Sequence, residues 1–216
     1  MGGSDGGGAA ARRIEFGMRK EMMGSRRRFI WLLAIAMAAA GAASSCGAGA
    51  RELPSYKTVP QFTLTSQTGE AFHSREELAG KIWIAEFFFT SCTGPCPRMN
   101  ARMRRLQNDL ADVEDLRLVS FTVDPERDTP EALADYARKF QAEPGRWWFL
   151  TGPMEELDRL CRETFLLGEV KGKLDHSTRF VLVDRDGVIR GYYLSGDSEA
   201  MQRLERDVRR LTRGAG

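Results

Sequence analysis

Residues 81–100 read KIWIAEFFFTSCTGPCPRMN, and the change of pattern inside this stretch decides the fold. KIWIAEFFF (81–89) is nearly continuous β-branched and aromatic sequence, which suits a central strand buried on both faces. From Pro97 the periodicity becomes helical: Met99, Met103, Leu106, Leu110 and Val113 recur at spacings of four, three, four and three. Pro97 fits the first turn of that helix. Cys92 then falls in the loop just past the strand, and Cys96 just before the helix. Unpaired N–H groups and the helix dipole favour a thiolate in such a place. Gly94 and Pro95 are turn residues, so both sulfurs can converge on one point. The Cys-x-x-x-Cys spacing can close a redox-active disulfide, and it also leaves two sulfurs free to open around a metal ion. A purely structural disulfide is the weakest of the three readings, because reactive thiols sit where a strand meets a helix.

Working outward, FTLTSQTGEAF (62–72) alternates around Thr68-Gly69 and predicts a β-hairpin. LRLVSFTVD (116–124) reads as a strand and TPEALADYARKF (129–140) as a helix, with Thr129 as its N-cap before Pro130. RWWFLTG (146–152) is a short strand and MEELDRLCRETFLL (154–167) a further helix. RFVLVDRDGVIRGYY (179–193) is a hairpin turning at Asp186-Gly187, and SEAMQRLERDVRRLTR (198–213) an amphipathic helix. Strands and helices alternate through the middle, and the chain ends on a hairpin plus a helix. That order predicts an α/β fold, a thioredoxin-like sandwich. Its central mixed β-sheet is flanked by helices and carries an added N-terminal β-hairpin.

The chain has 216 residues, 42% hydrophobic and 29% charged, with a net charge of +2. Residues 1–45 hold seven Lys/Arg and three Asp/Glu, and the remainder carries 25 against 27. A nearly neutral body argues against a nucleic-acid partner. SRRRF (25–29) followed by IWLLAIAMAAAGAA (30–43) has the basic and apolar regions of an export signal. The apolar run is shorter than the roughly 20 residues a bilayer span requires. ASSC (43–46) resembles a bacterial lipobox with Cys46 as the lipidated residue, although Ala43 stands where leucine is usual. Four segments are expected. Residues 1–21 are a low-complexity extension, 22–46 an export signal, 47–57 a linker and 58–216 the domain. Export would place Cys92, Cys96 and Cys161 in an oxidising compartment, outside the cytoplasmic membrane.

A metal held by two thiolates wants a third donor. His73, in EAFHSREEL, reads as a surface or capping residue. His176, in KLDHSTRF, lies where a loop enters the penultimate strand. Two thiolates with one imidazole favour Cu(I) and tolerate Cu(II) or zinc.

FFxTSCxxxCP (88–97), VDPERDTP (123–130), FLTG (149–152) and DHS (175–177) together resemble the SCO/SenC family, copper chaperones of cytochrome c oxidase assembly. The resemblance spans roughly residues 58 to 213 and implies the thioredoxin-like fold. It implies one copper ion, as Cu(I) or Cu(II), held by Cys92, Cys96 and His176. The implied partner is subunit II of cytochrome c oxidase, at its binuclear copper centre, or another copper-accepting protein. Extracytoplasmic thiol reductants and a membrane reached by a lipid anchor complete the set. The short loop GEVKGKLD (168–175) departs from the family pattern and bears on the docking surface.

Two functions remain in view. In one, the chain delivers copper. In the other, it is a thiol-disulfide oxidoreductase in which the more exposed Cys92 attacks and Cys96 resolves. Asp124, at a strand end, either orients a ligand or a partner from behind the site or caps its loop. Asp128 reads as solvated. Met99 and Met103 merge into the core stripe of their helix rather than forming a copper relay. Cys161 reads as a buried inert thiol. The DRDG turn (184–187) lacks the further ligands of a calcium loop.

Overall fold

The computed structural model describes residues 52–167 and 178–214. In chain order the elements are β1 (Thr63–Ser66), β2 (Ala71–His73), α1 (Ser74–Glu77), β3 (Ile82–Phe88) and α2 (Pro95–Asp109). There follow β4 (Leu116–Thr122), α3 (Pro130–Lys139), β5 (Trp147–Thr151), α4 (Met154–Arg159) and a π-helical turn (Leu160–Thr164). The chain closes with β6 (Arg179–Val183), β7 (Ile189–Leu194) and α5 (Ser198–Thr212).

One seven-stranded mixed sheet runs in the order β2-β1-β5-β4-β3-β6-β7. β3, β4 and β5 are parallel to one another, and the remaining pairings are antiparallel. Every residue of β3 is buried, Glu86 included, as a nearly continuous apolar sequence requires of an interior strand. Alternation along it feeds two cores. Ile82, Ile84 and Phe88 pack with Met99, Met103 and Leu106 of α2, Leu133 of α3 and Leu204 of α5. Trp83, Ala85 and Phe87 pack on the opposite face with Phe62, Phe121, Leu157 and Phe165. Trp147 is core and Trp148 is partly exposed beside it.

Both hairpins turn where expected. Gly69 and Gly187 take positive φ, 83° and 76°, which L-residues adopt only with strain. Thr129 caps α3, its hydroxyl accepting from the Ala132 amide at 3.3 Å.

Three boundaries differ from the expected ones. α2 starts at Pro95 with Gly94 as N-cap, two residues earlier than Pro97, so Cys96 lies inside its first turn. The helix expected over 154–167 is α4 followed by a π turn that carries Cys161. The domain also begins before Thr58. Leu53 is buried, its carbonyl accepts from Arg190 at 3.0 Å, and Tyr56 and Lys57 exchange backbone hydrogen bonds with Ile189. Leu53 packs into the body and the backbone of Tyr56 and Lys57 is tied to it, while the side chains of residues 54–57 are exposed. An apolar anchor and a strand edge hold them there, which a polar composition does not reveal.

Candidate dithiol and metal site

β3 and β4 end together, Phe88 opposite Thr122, and the loops that follow them form one rim of the sheet. The Val123 amide donates to the Phe88 carbonyl at 2.9 Å, which ties the two loops at their origin. The β3 loop carries Thr90, Ser91 and Cys92 before the chain turns into α2 at Pro95. Its turn is compact, as Gly94 and Pro95 predict, and the Cys92 amide donates to the Phe89 carbonyl at 3.3 Å.

The two thiols are neighbours. Both are free and buried, and they lie close enough for Cys92 to bear on the ionisation of Cys96. Cys92 is the more exposed, at 7% against 1%. Burial pushes the Cys96 thiol up to about 12, and the neighbouring Cys92 adds to the rise. A hydrogen bond from the Phe89 backbone pulls the other way and is outweighed. At Cys96 burial therefore opposes the pull of the helix N-terminus toward a thiolate. The dipole acts through an exposed first turn, whereas this sulfur is enclosed beneath it. Asn100 Nδ2 closes the turn from below by donating to the Cys96 carbonyl at 3.1 Å.

Two buried carboxylates border this site, and the sequence patterns signalled neither. Glu86 stands in the apolar run of β3 and is fully enclosed. Ser120 Oγ donates to its Oε1 at 2.7 Å, and Trp147 Nε1 donates to Ser120 Oγ at 2.9 Å. Oε2 has no hydrogen-bond partner. Burial raises the Glu86 carboxyl to about 8, with the Ser120 hydrogen bond opposing. A lone acid inside an otherwise apolar interior strand was the signal available.

Asp128 was expected to be solvated and is instead fully buried. Its carboxylate accepts from the Thr90 amide at 3.1 and 3.3 Å, from the Thr90 hydroxyl, and from the Thr122 hydroxyl at 2.5 Å. The physical reason is the meeting of the two loops. Three donors converge on a point that only the pairing of β3 with β4 creates. Asp124 keeps to its own loop. Its carboxylate accepts from Arg127 at 2.9 Å, and its carbonyl accepts from the Arg127 and Asp128 amides at 3.1 and 2.9 Å.

The histidines separate by position. His73 ends β2, four strands from β3 across the sheet, or roughly 19 Å at the usual strand spacing. It is exposed, makes no side-chain cap, and its Nδ1 lies 3.2 Å from Thr63 Oγ1. His176 and the loop 168–175 lie outside the described residues, as do Cys46 and the whole export signal. Among the described residues no group of three or more His, Cys, Asp or Glu side chains is arranged to hold a metal ion. No described helix is long and apolar enough to cross a membrane. Cys161 is buried on the other face of the sheet, and burial pushes its thiol up to about 11.

A parallel strand ending in a cysteine pair, with the second cysteine in the first turn of the next helix, places the chain among the thioredoxin-like proteins. The family model SCO1/SenC matches residues 50–213, and the chain belongs to that family. Three solved structures are similar to it. A SCO1/SenC family lipoprotein from Bacillus anthracis is 32% identical, with a TM-score of 0.67, covering 75% of this chain and 98% of that one. BsSco, described as having a disulfide switch and as a member of the Sco family of cytochrome c oxidase assembly proteins, is 32% identical. Its TM-score is 0.64, with 73% and 94% of the two chains covered. Yeast Sco1 with copper bound is 25% identical, with a TM-score of 0.58 over 72% of this chain and 95% of that one.

Proposed function

We propose that this chain is an extracytoplasmic metallochaperone, which carries one copper ion on Cys92, Cys96 and His176. The acceptor is the binuclear copper centre in subunit II of cytochrome c oxidase. The observation that carries this reading is the placement of two free, neighbouring cysteines at the rim of the sheet. Neighbouring soft sulfurs suit Cu(I), and their capture of the ion releases the thiol protons. The register supports a third donor from the segment after Leu167. β6 pairs antiparallel with β3, Ala85 opposite Val181, so the described chain resumes at Thr178 level with Phe88. His176 is two residues before Thr178 in the sequence. Yeast Sco1 with copper bound and BsSco's place among oxidase assembly proteins favour the same cargo and destination. Export and lipid anchoring at Cys46 belong to this reading, and membrane fractionation of a Cys46→Ala chain tests them. An unchanged, membrane-bound product would remove the lipid anchor.

A second reading has its own support. Two neighbouring free thiols can also reduce the acceptor's cysteines, with Cys92 attacking and Cys96 resolving the mixed disulfide. The disulfide switch described for BsSco favours it. The histidines distinguish the two. Reduced full-length protein is titrated with Cu(I) and Cu(II), beside His176→Ala and His73→Ala. His176→Ala is expected to weaken Cu(II) strongly and Cu(I) less, and His73→Ala to change neither. Wild-type affinity for both ions in His176→Ala would exclude the three-donor site and leave thiol exchange as the function.

A further inference from the structure

The VDPERDTP segment enters the site through Asp128, a residue for which the dithiol chemistry described so far has no use. Its carboxylate is entirely enclosed, and every donor it receives comes from one of two places. Thr122 is the last residue of β4. Thr90 lies two residues before Cys92 and gives both its amide and its hydroxyl. Asp128 is itself pinned from behind, its amide donating to the Asp124 carbonyl at 2.9 Å, and α3 begins two residues later. The cysteine loop is therefore fastened at Thr90 on one side and by α2 on the other. Cys92 hangs between the two attachments.

We infer that Asp128 is a positioning residue for the Cys92–Cys96 pair, holding the cysteine loop at Thr90 in the dithiol arrangement and thereby setting how readily the pair becomes a disulfide. The inference rests on the reading of these two cysteines as the reactive pair. Disulfide formation draws the two sulfurs to about 2.05 Å and fixes the dihedral between them. Cys96 is enclosed in a helical turn, so the adjustment falls on Cys92 and the Thr90–Ser91 segment that leads to it. A clamp made in the dithiol form opposes that adjustment. Weakening the clamp moves the equilibrium toward the disulfide.

The measurement is the exchange equilibrium of the full chain with glutathione. The two cysteine thiols give up two electrons and two protons as the protein S–S bond forms. Oxidised glutathione takes them up and becomes two molecules of the reduced tripeptide. Alkylation of acid-quenched samples reports the fraction reduced. Asp128→Asn retains the size of the side chain but leaves one acceptor oxygen for three donors. Thr90→Val removes only the hydroxyl donor, and Thr90→Ser restores it. Thr122→Val removes the donor on the strand, and with it the acceptor of the Asp124 amide at 3.0 Å. It leaves both Thr90 bonds to the cysteine loop in place, so it is the comparison for loss of stability without loss of the tie to that loop.

Asp128→Asn and Thr90→Val are expected to shift the constant about tenfold toward the disulfide, ~30 mV for a two-electron couple. Thr90→Ser should return to the wild-type value, and Thr122→Val should stay within about twofold of it, at a loss of melting temperature similar to that of Thr90→Val. If Asp128→Asn does not fold, the Thr90 pair against Thr122→Val decides the question alone. Equal shifts in Thr90→Val and Thr122→Val, or none in either, would make Asp128 a structural residue and overturn the inference. A wild-type pair that forms no reversible disulfide would overturn the reactive-pair reading beneath it, which the wild-type titration shows separately.

Discussion

Glu86 and Asp128 are equally buried, at 0% exposure each, and border the same cysteine pair, yet they are built for opposite purposes. Asp128 gathers two hydroxyls and an amide on its two oxygens, and its loop is shaped around it. Glu86 receives one hydroxyl on one oxygen and nothing on the other. A buried carboxylate surrounded by donors fixes geometry, because removing any part of the set leaves the rest unsatisfied. One left half-satisfied takes up a proton instead, since desolvation penalises its charged form. Burial alone therefore says little about what an acid does; the number of donors aimed at it says more.

The largest expected effect follows from Glu86. Its carboxyl is raised from 4.5 to about 8 by burial, so between those pH values the folded protein holds a proton that the unfolded chain has released. Stability falls as pH rises wherever the native state binds more protons. The Glu86 contribution is thus most favourable below about pH 4.5 and is lost progressively up to about pH 8, at a slope approaching ~1.4 kcal/mol per pH unit. Glu86→Gln keeps an acceptor for Ser120 and cannot ionise. Urea unfolding at pH 5, 6, 7 and 8 should show the wild type losing stability relative to this variant across the series. Parallel curves would mean that Glu86 ionises normally within the fold, and the contrast with Asp128 would collapse.

Much of this architecture was legible in local sequence. The apolar run of β3, the Met99–Met103–Leu106 stripe of α2, the turn glycines and the Thr129 cap each depend on residues a few positions apart. The nearness of Cys92 to Cys96 could be anticipated for the same reason. Asp128 could not. Its donor Thr90 is 38 residues away, and nothing in VDPERDTP distinguishes an acid that turns inward from one that turns outward. The Cys96 thiol is a different case. The helix N-terminus is a local cue that favours ionisation, and enclosure by the two loops and α2 is a tertiary effect that opposes it. The register of β6 against β3 is likewise tertiary.

Asp124 completes the series as the acid whose environment is least enclosing, and its expected effect on folding is the smallest. Its carboxylate pairs with Arg127, whose side chain is 75% exposed, three residues along the same loop. The pairing raises the Arg127 guanidinium further above its usual range, the Asp124 hydrogen bond contributing most. Asp124 itself is only 15% exposed, but a partner as exposed as Arg127 is screened by solvent, and such a pair contributes little to stability. Asp124→Asn should therefore leave the melting temperature within about 2 °C of the wild type. That near-neutrality makes the variant informative about the site. If Asp124 only closes its loop, copper affinity and the glutathione equilibrium of Asp124→Asn will match the wild type. If it orients a metal ligand or a docking partner, copper binding or transfer will fall while the melting temperature holds. A large loss of stability would contradict both, because it would show that Asp124 belongs with Asp128 among the carboxylates that hold the two loops together.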